Sequence, residues 1–195
     1  MTTLCIDTAY KYLTVALIED DQILASYSEE CFKRQSEEVF AAMKKVFEQA
    51  NRDHKDIDSI CISEGPGSYT GVRIAMTIAK TIGEVMPCDV YTISTLRLYA
   101  ANRENVLVLM DARAGRAYYG IYNKDEIIKE DDVKPLEDID SIGYTIVGDG
   151  SLLDMNDDFG DISQAFLKTK HLWKKADEIA YLTPKYLKES ESYYR

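Results

Sequence analysis

Ser59-Ile60-Cys61-Ile62-Ser63-Glu64-Gly65-Pro66-Gly67-Ser68-Tyr69-Thr70-Gly71-Val72-Arg73-Ile74-Ala75-Met76-Thr77-Ile78-Ala79-Lys80 decides the fold. A short β-rich apolar run meets three glycines and a proline, after which Ala75, Ile78, Ala79, Ile82 and Met86 recur with the helical period. The stretch reads as strand, glycine loop, helix. At such a helix start the unpaired amides and the positive end of the dipole favour an anion, and glycines let the backbone approach it closely. Asp7 and Thr8, at the C-terminal end of an earlier strand, join Gly65, Gly67, Ser68, Thr70 and Gly71 as candidate phosphate or nucleotide ligands. The spacing G-x-G-x-x-x-G misses the dinucleotide fingerprint by one residue, and no Gly-Lys-[Ser/Thr] ending sets a lysine on a terminal phosphate. A plain tight turn accounts for the same glycines, and a turn cap accounts for Asp7.

Working outward, Leu4–Thr8, Tyr12–Ile18 and Ile23–Ser28 predict a three-stranded antiparallel meander, since their connections are too short for parallel crossovers. Ser36 followed by Glu37 and Glu38 predicts an N-cap and a helix running to about Asn51. On that helix Val39, Met43, Val46, Phe47 and Ala50 form a stripe, while Phe40 and Ala42 lie off it and widen the apolar face. The helix after the glycine loop has a similar surplus, with Ile74, Thr77, Thr81 and Val85 beside its main face. Each helix can therefore serve two neighbours, one being the sheet and the other either the same subunit or a second one. Pro87–Ser94 returns as a strand and Thr95–Asn102 as a helix.

A second sheet is predicted from Asn105–Asp111, Ala117–Asn123 and Tyr144–Val147, the last ending at Gly148-Asp149-Gly150. Asp111, Arg113 and Arg116 fall at a turn, where charges commonly face solvent. The acidic run Asn123–Asp140 reads as a loosely structured surface excursion, and Ile162–Leu167 and Leu172–Leu182 as helical pieces. Trp173 reads as a core residue, and the tail from Tyr186 to Glu191 as a fraying end.

Composition limits the chemistry. The 195 residues carry 34 acidic and 23 basic side chains, a net charge of −11, which opposes unaided binding to a polyphosphate backbone. No apolar stretch approaches bilayer length and no leader is evident, which predicts a cytoplasmic protein away from membranes. Cys5, Cys31, Cys61 and Cys88 form no C-x-x-C pair, and His54 and His171 stand far apart. Neither a metal site nor a nucleophile with its base is expected from these spacings, and no catalytic residue is assigned.

Ser63-Glu64-Gly65-Pro66-Gly67-Ser68-Tyr69-Thr70-Gly71-Val72-Arg73-Ile74-Ala75 with Ala79-Lys80 resembles the signature of the TsaB family. Ile6-Asp7-Thr8, Ser36-Glu37, Ser94-Thr95-Leu96, Asp111-Ala112-Arg113, Gly148-Asp149-Gly150 and Pro184-Lys185-Tyr186-Leu187 follow in that family's order. The resemblance implies an α/β protein of the actin-like, sugar-kinase (ASKHA) class, with two lobes of mixed sheets and flanking helices, the second lobe reduced. The first lobe is expected at residues 1–102, a C-terminal helix at about 173–195 packing back on it, and the second lobe at 103–172. The resemblance further implies a non-catalytic partner of TsaD, the transferase that makes threonylcarbamoyladenosine beside the anticodon of tRNA, with TsaE assisting. On this reading tRNA is met only through the complex, and the chain is a homodimer when alone. It requires no cofactor of its own, and ATP or ADP belongs, where bound, to the interface of the complex.

TsaD carries a histidine pair for its metal after the strand that follows the glycine-loop helix. Here Thr92-Ile93-Ser94-Thr95-Leu96-Arg97-Leu98 stands in that place, so transferase activity and a metal are expected to be missing. The family often has histidine before Ser-Glu, where this chain has Gln35, and many members are longer in the second lobe. Partner contact is implied on the first helix and the glycine-loop helix, with Val39, Met43, Phe47, Ile74, Ile78 and Ile82 as the candidate residues. A small nucleotide-hydrolysing enzyme of the same fold, or a purely homodimeric module, are the alternatives.

Overall fold

The computed structural model describes residues 1–31 and 33–187. β1 (Thr2–Asp7), β2 (Tyr12–Glu19) and β3 (Gln22–Glu30) form the expected antiparallel meander. α1 (Gln35–Ala50) follows, then β4 (Ser59–Ser63), α2 (Tyr69–Val85) and β5 (Asp89–Ile93). β4 pairs parallel with β1, and β5 parallel with β4. After α3 (Thr95–Ala100) come β6 (Val106–Asp111), β7 (Arg116–Asn123), β8 (Glu126–Pro135) and β9 (Thr145–Gly148). α4 (Ile162–Lys168) and the two-residue β10 (Lys174–Lys175) complete the α-helices and strands of the described residues. The strand orders are β10-β5-β4-β1-β2-β3 and β8-β7-β6-β9, so both sheets are mixed, as the α/β fold class requires.

Alternation along the strands sorts the side chains into three cores. Leu4, Ile6, Val15, Leu17, Ile60 and Ile62 face α1 and α2. Cys5, Ala16, Ile18 and Cys61 face the other way, onto α3, α4 and the inner side of the second sheet, where Val106, Val108, Met110 and Tyr122 meet them. Leu107, Leu109, Ala117 and Tyr119 cover the far side of that sheet with Ile139 and Ile146. All four cysteines are buried and unpaired, and burial pushes the Cys5 and Cys61 thiols well up.

Four sequence expectations change. The acidic excursion contains β8, a ten-residue strand paired antiparallel with β7; its pairing needs only one covered face, so charge on the other did not prevent it. Ser36 is not the cap of α1: the helix starts at Gln35 with Arg34 at the cap position and no side-chain cap bond, while Gln35 donates to the Tyr10 carbonyl at 2.7 Å. The helix expected at about 173–195, and its piece Leu172–Leu182, are not helical where described. Lys174–Lys175 pairs with Tyr91 and Thr92 of β5, and Ile179–Tyr181 is a single 3-10 turn. Residues 188–195 of that expectation lie outside the described residues. This segment does return to the first sheet, but as a strap, and Tyr186 is held rather than frayed: it stacks on Tyr69 at 5.5 Å.

Candidate functional site

Two features built by the first lobe bear on function: the glycine loop and the outer face of α1 and α2. Ser68 caps α2, its Oγ accepting from the Gly71 N–H at 3.3 Å, which satisfies one of the helix's unpaired amides. Thr8 Oγ1 donates to the Gly71 carbonyl at 2.7 Å and accepts from the Ala75 N–H at 3.2 Å. The Ser68 N–H donates to the Ala9 carbonyl at 2.8 Å. A Cβ on Gly67 would run into Ala9 O, and one on Gly71 into Thr8 O, each closer than 3.0 Å. Gly65, at φ +108°, leaves room for the Lys185 carbonyl, which would lie 2.6 Å from a Cβ there. The glycines thus admit the chain's own backbone, from the β1–β2 turn and from the strap. Thr70 is exposed at the start of α2.

Asp7 is fully buried. Its carboxylate accepts from Ser63 Oγ at 2.5 Å, the Ala9 N–H at 3.0 Å and the Tyr99 hydroxyl at 2.9 Å. The structure therefore brings Thr8, Gly67, Ser68 and Gly71 together, and turns Asp7 away into a separate network. Burial raises the Asp7 carboxyl above its ordinary range, against the pull of those three hydrogen bonds. The folded chain consequently holds the proton more tightly than the unfolded one. The resulting stability is complete below the unfolded value and is lost as pH rises through the folded one. Asp7→Asn keeps one acceptor and removes the ionisation. Wild-type stability is expected to fall relative to this variant as pH rises from the ordinary aspartate range, about 4, through the raised value of the folded chain, measured by urea unfolding at several pH values. A gap independent of pH would contradict a carboxyl raised by burial.

A second polar cluster, not anticipated from sequence, ties the lobes. Asp149, after β9, is 1% exposed and accepts from the Tyr10 hydroxyl, from Lys11 Nζ at 2.5 Å and from the Asp111 N–H at 2.7 Å. Lys11 also reaches Asp157 at 3.1 Å. The turn expected to expose its charges gives this tie only the Asp111 backbone N–H; the Asp111 carboxylate pairs at 3.3 Å with Arg113, which is exposed. Tyr10 and Asp149 stand 139 positions apart, a separation that no local pattern spans. Among the described residues no three His, Cys, Asp or Glu side chains are grouped as a metal would need.

The outer face of α1 and α2 is apolar. Phe40, Met43, Phe47, Ile78 and Ile82 line a groove of about 280 Å³ between the helices, floored by Leu4 and Ile57. It continues into a shallower hollow bordered by Tyr69, Arg73 and Ile74. Met43, Phe47, Ile74 and Ile82 are partly buried. Two of the expected contact residues are deeper than predicted: Val39 is 1% exposed and Ile78 8%. Val39 packs inward because the helix stripe Val39–Ala42–Val46 is the one that meets the sheet. Phe40, outside the candidate set, lines the groove and is 65% exposed. Its position off the main stripe was the signal.

Two mixed sheets, with helix pairs outside the first and between the two, define an α/β protein. The solved structure of YeaZ from Pseudomonas aeruginosa shares this fold, with a TM-score of 0.80 at 20% identity over 95% of this chain and 100% of that one. The family model "TsaD: tRNA N6-adenosine threonylcarbamoyltransferase" matches residues 24–150. The chain belongs to that family, and several curated proteins similar to it carry the name TsaB. The tRNA threonylcarbamoyladenosine biosynthesis protein TsaB of Bacillus subtilis is 34% identical over 126 residues, covering 63% of this chain and 55% of that protein. TsaB of Escherichia coli is 33% identical over 132 residues, covering 65% and 57%. The match thus spans less than two thirds of these relatives' length.

Proposed function

We propose that this chain is a non-catalytic partner subunit in the formation of threonylcarbamoyladenosine on tRNA, and that α1 and α2 dock a TsaD-type transferase. The observation that carries the proposal is the apolar groove between the two helices, crowned by an exposed phenylalanine. A patch of that kind on a water-facing helix pair is the usual mark of a protein surface kept for a partner. Two helices offering one face suit a four-helix contact, and the same face serves a second copy of the chain when the transferase is absent. The charge of −11 agrees with tRNA being held by the partner.

The non-catalytic reading draws on the glycine loop, whose close approaches are taken by backbone, and on Asp7, whose oxygens are engaged inside the lobe. ATP or ADP, on this proposal, sits at the junction with the transferase and is not turned over by this subunit. No helix among the described residues is long and apolar enough to cross a membrane, in keeping with a cytoplasmic site of action.

The test is co-expression with TsaD and TsaE, followed by measurement of the modified nucleoside with this chain present or omitted. Modification is expected only when the chain is present, together with co-purification of TsaD. Full modification without it would remove the proposed role, and ATP hydrolysis by the isolated chain would favour the enzyme reading instead.

A further inference from the structure

The strap that stands in place of the expected C-terminal helix reaches Tyr69 and Arg73, which border the hollow. Lys80 Nζ donates to the carbonyls of Ala180 and Leu182 at 2.7 and 3.0 Å, and the Lys185 N–H donates to the Glu64 carbonyl at 2.7 Å. The Lys185 ammonium lies 2.9 Å from Asp131 of β8, a carboxylate only 3% exposed that also accepts from Ser94 Oγ. So fixed, the strap lays Tyr186 beside Tyr69 with their rings 24° apart. Arg73 of α2 is held there: its guanidinium carbon is 3.7 Å from the Tyr69 ring centroid and 5.7 Å from that of Tyr186, and Nε donates to the Tyr186 hydroxyl at 2.7 Å.

Among the described residues the charge of this arginine meets no carboxylate. Arg34, Arg52, Arg103 and Arg113 each pair with a carboxylate, as a chain with 34 acidic residues makes easy. Arg73 pairs with none among the described residues, although it is exposed. Its rotamer is already ordered by the two rings, so little freedom remains to be lost on binding, and the planar fork matches a carboxylate in two hydrogen bonds. It borders the same hollow as Phe40, Ile74 and Ile78. An ordered arginine on the rim of an apolar groove is a composition that recognises an acidic side chain beside an apolar helix face.

We propose that the docking surface continues from the α1–α2 groove onto Arg73, and that this arginine receives a carboxylate carried by the docked transferase. The strap is then part of the interface through Tyr186. This rests on the docking reading above, and the experiment separates the two. Affinity for purified TsaD is measured by calorimetry at two salt concentrations. Arg73→Gln is expected to weaken binding about 30-fold and to flatten its salt dependence, with the thermal midpoint of the free chain unchanged. Arg73→Lys is expected to stay about tenfold weaker than wild type, because an ammonium lacks the fork. Removing residues 188–195, which carry Glu189 and Glu191, is expected to leave the Arg73→Gln loss intact; its disappearance would make the carboxylate the chain's own and overturn the inference. Equal affinity of wild type and Arg73→Gln would overturn it while the groove remains a docking site. A wild-type chain that fails to bind TsaD would overturn both.

Discussion

Phe40→Asp is expected to lower affinity for TsaD about 100-fold while leaving the fold of the free chain intact. Phe40 stands 65% exposed at the head of the groove lined by Met43, Phe47, Ile78 and Ile82. A ring docked against a partner helix removes apolar area from water at roughly 25 cal/mol per Å², and an aspartate there must be desolvated without a partner. The two contributions add in the complex. In the free chain neither operates, so the change in stability should stay within about 0.5 kcal/mol, as for other exposed positions. Titration calorimetry with TsaD and thermal unfolding of the variant alone check the two halves. Affinity preserved within about threefold would mean the groove is not the docking surface. The same variant should also lose any self-association, read by light scattering. Met43 and Ile78 are less clean choices, because Ile78 is 8% exposed and part of the core beneath.

Gly71→Ala is expected to destabilise the chain by about 3 kcal/mol, a large fraction of an ordinary domain's stability. An alanine is normally welcome in a helix, favoured over glycine by about 1 kcal/mol, so propensity predicts the opposite sign. Here the new methyl would meet the Thr8 carbonyl closer than 3.0 Å. Backbone lies on both sides of that contact, and Thr8 is bonded to the same turn of α2 through Gly71 O and Ala75 N. The strain has no flexible side chain to absorb it. Urea unfolding followed by circular dichroism measures the loss; a variant as stable as wild type would show that the β1–β2 turn and α2 can separate.

The parts of the fold that the sequence announces are those fixed by neighbours along the chain. The meander follows from turns too short for a crossover, and α2 from a glycine loop followed by an apolar period. Failures occur where distant residues decide. Leu172, Ala176, Ile179 and Leu182 imitate a helical stripe, yet Ile179 lies against Gly83, where an added Cβ would be 2.7 Å from its Cδ1, and Lys80 captures the strap's carbonyls. In β8 the alternation is hidden by charge, because Asp131 turns inward to Ser94, Tyr122 and Lys185 while Glu130 beside it is exposed. The Tyr10–Lys11–Asp149 tie combines a turn in one lobe with a turn in the other. Phe40 was visible as surplus apolar surface, but only the packing of Val39 against the sheet shows which of the two adjacent residues faces outward.

The groove beside Phe40 has a further implication. At about 280 Å³ it approaches the lower end of the range in which small organic ligands lodge, and its walls are almost wholly hydrocarbon. On the proposed docking mode, a fragment-sized molecule seated there would compete with an incoming helix, offering a chemical route to uncoupling the subunits.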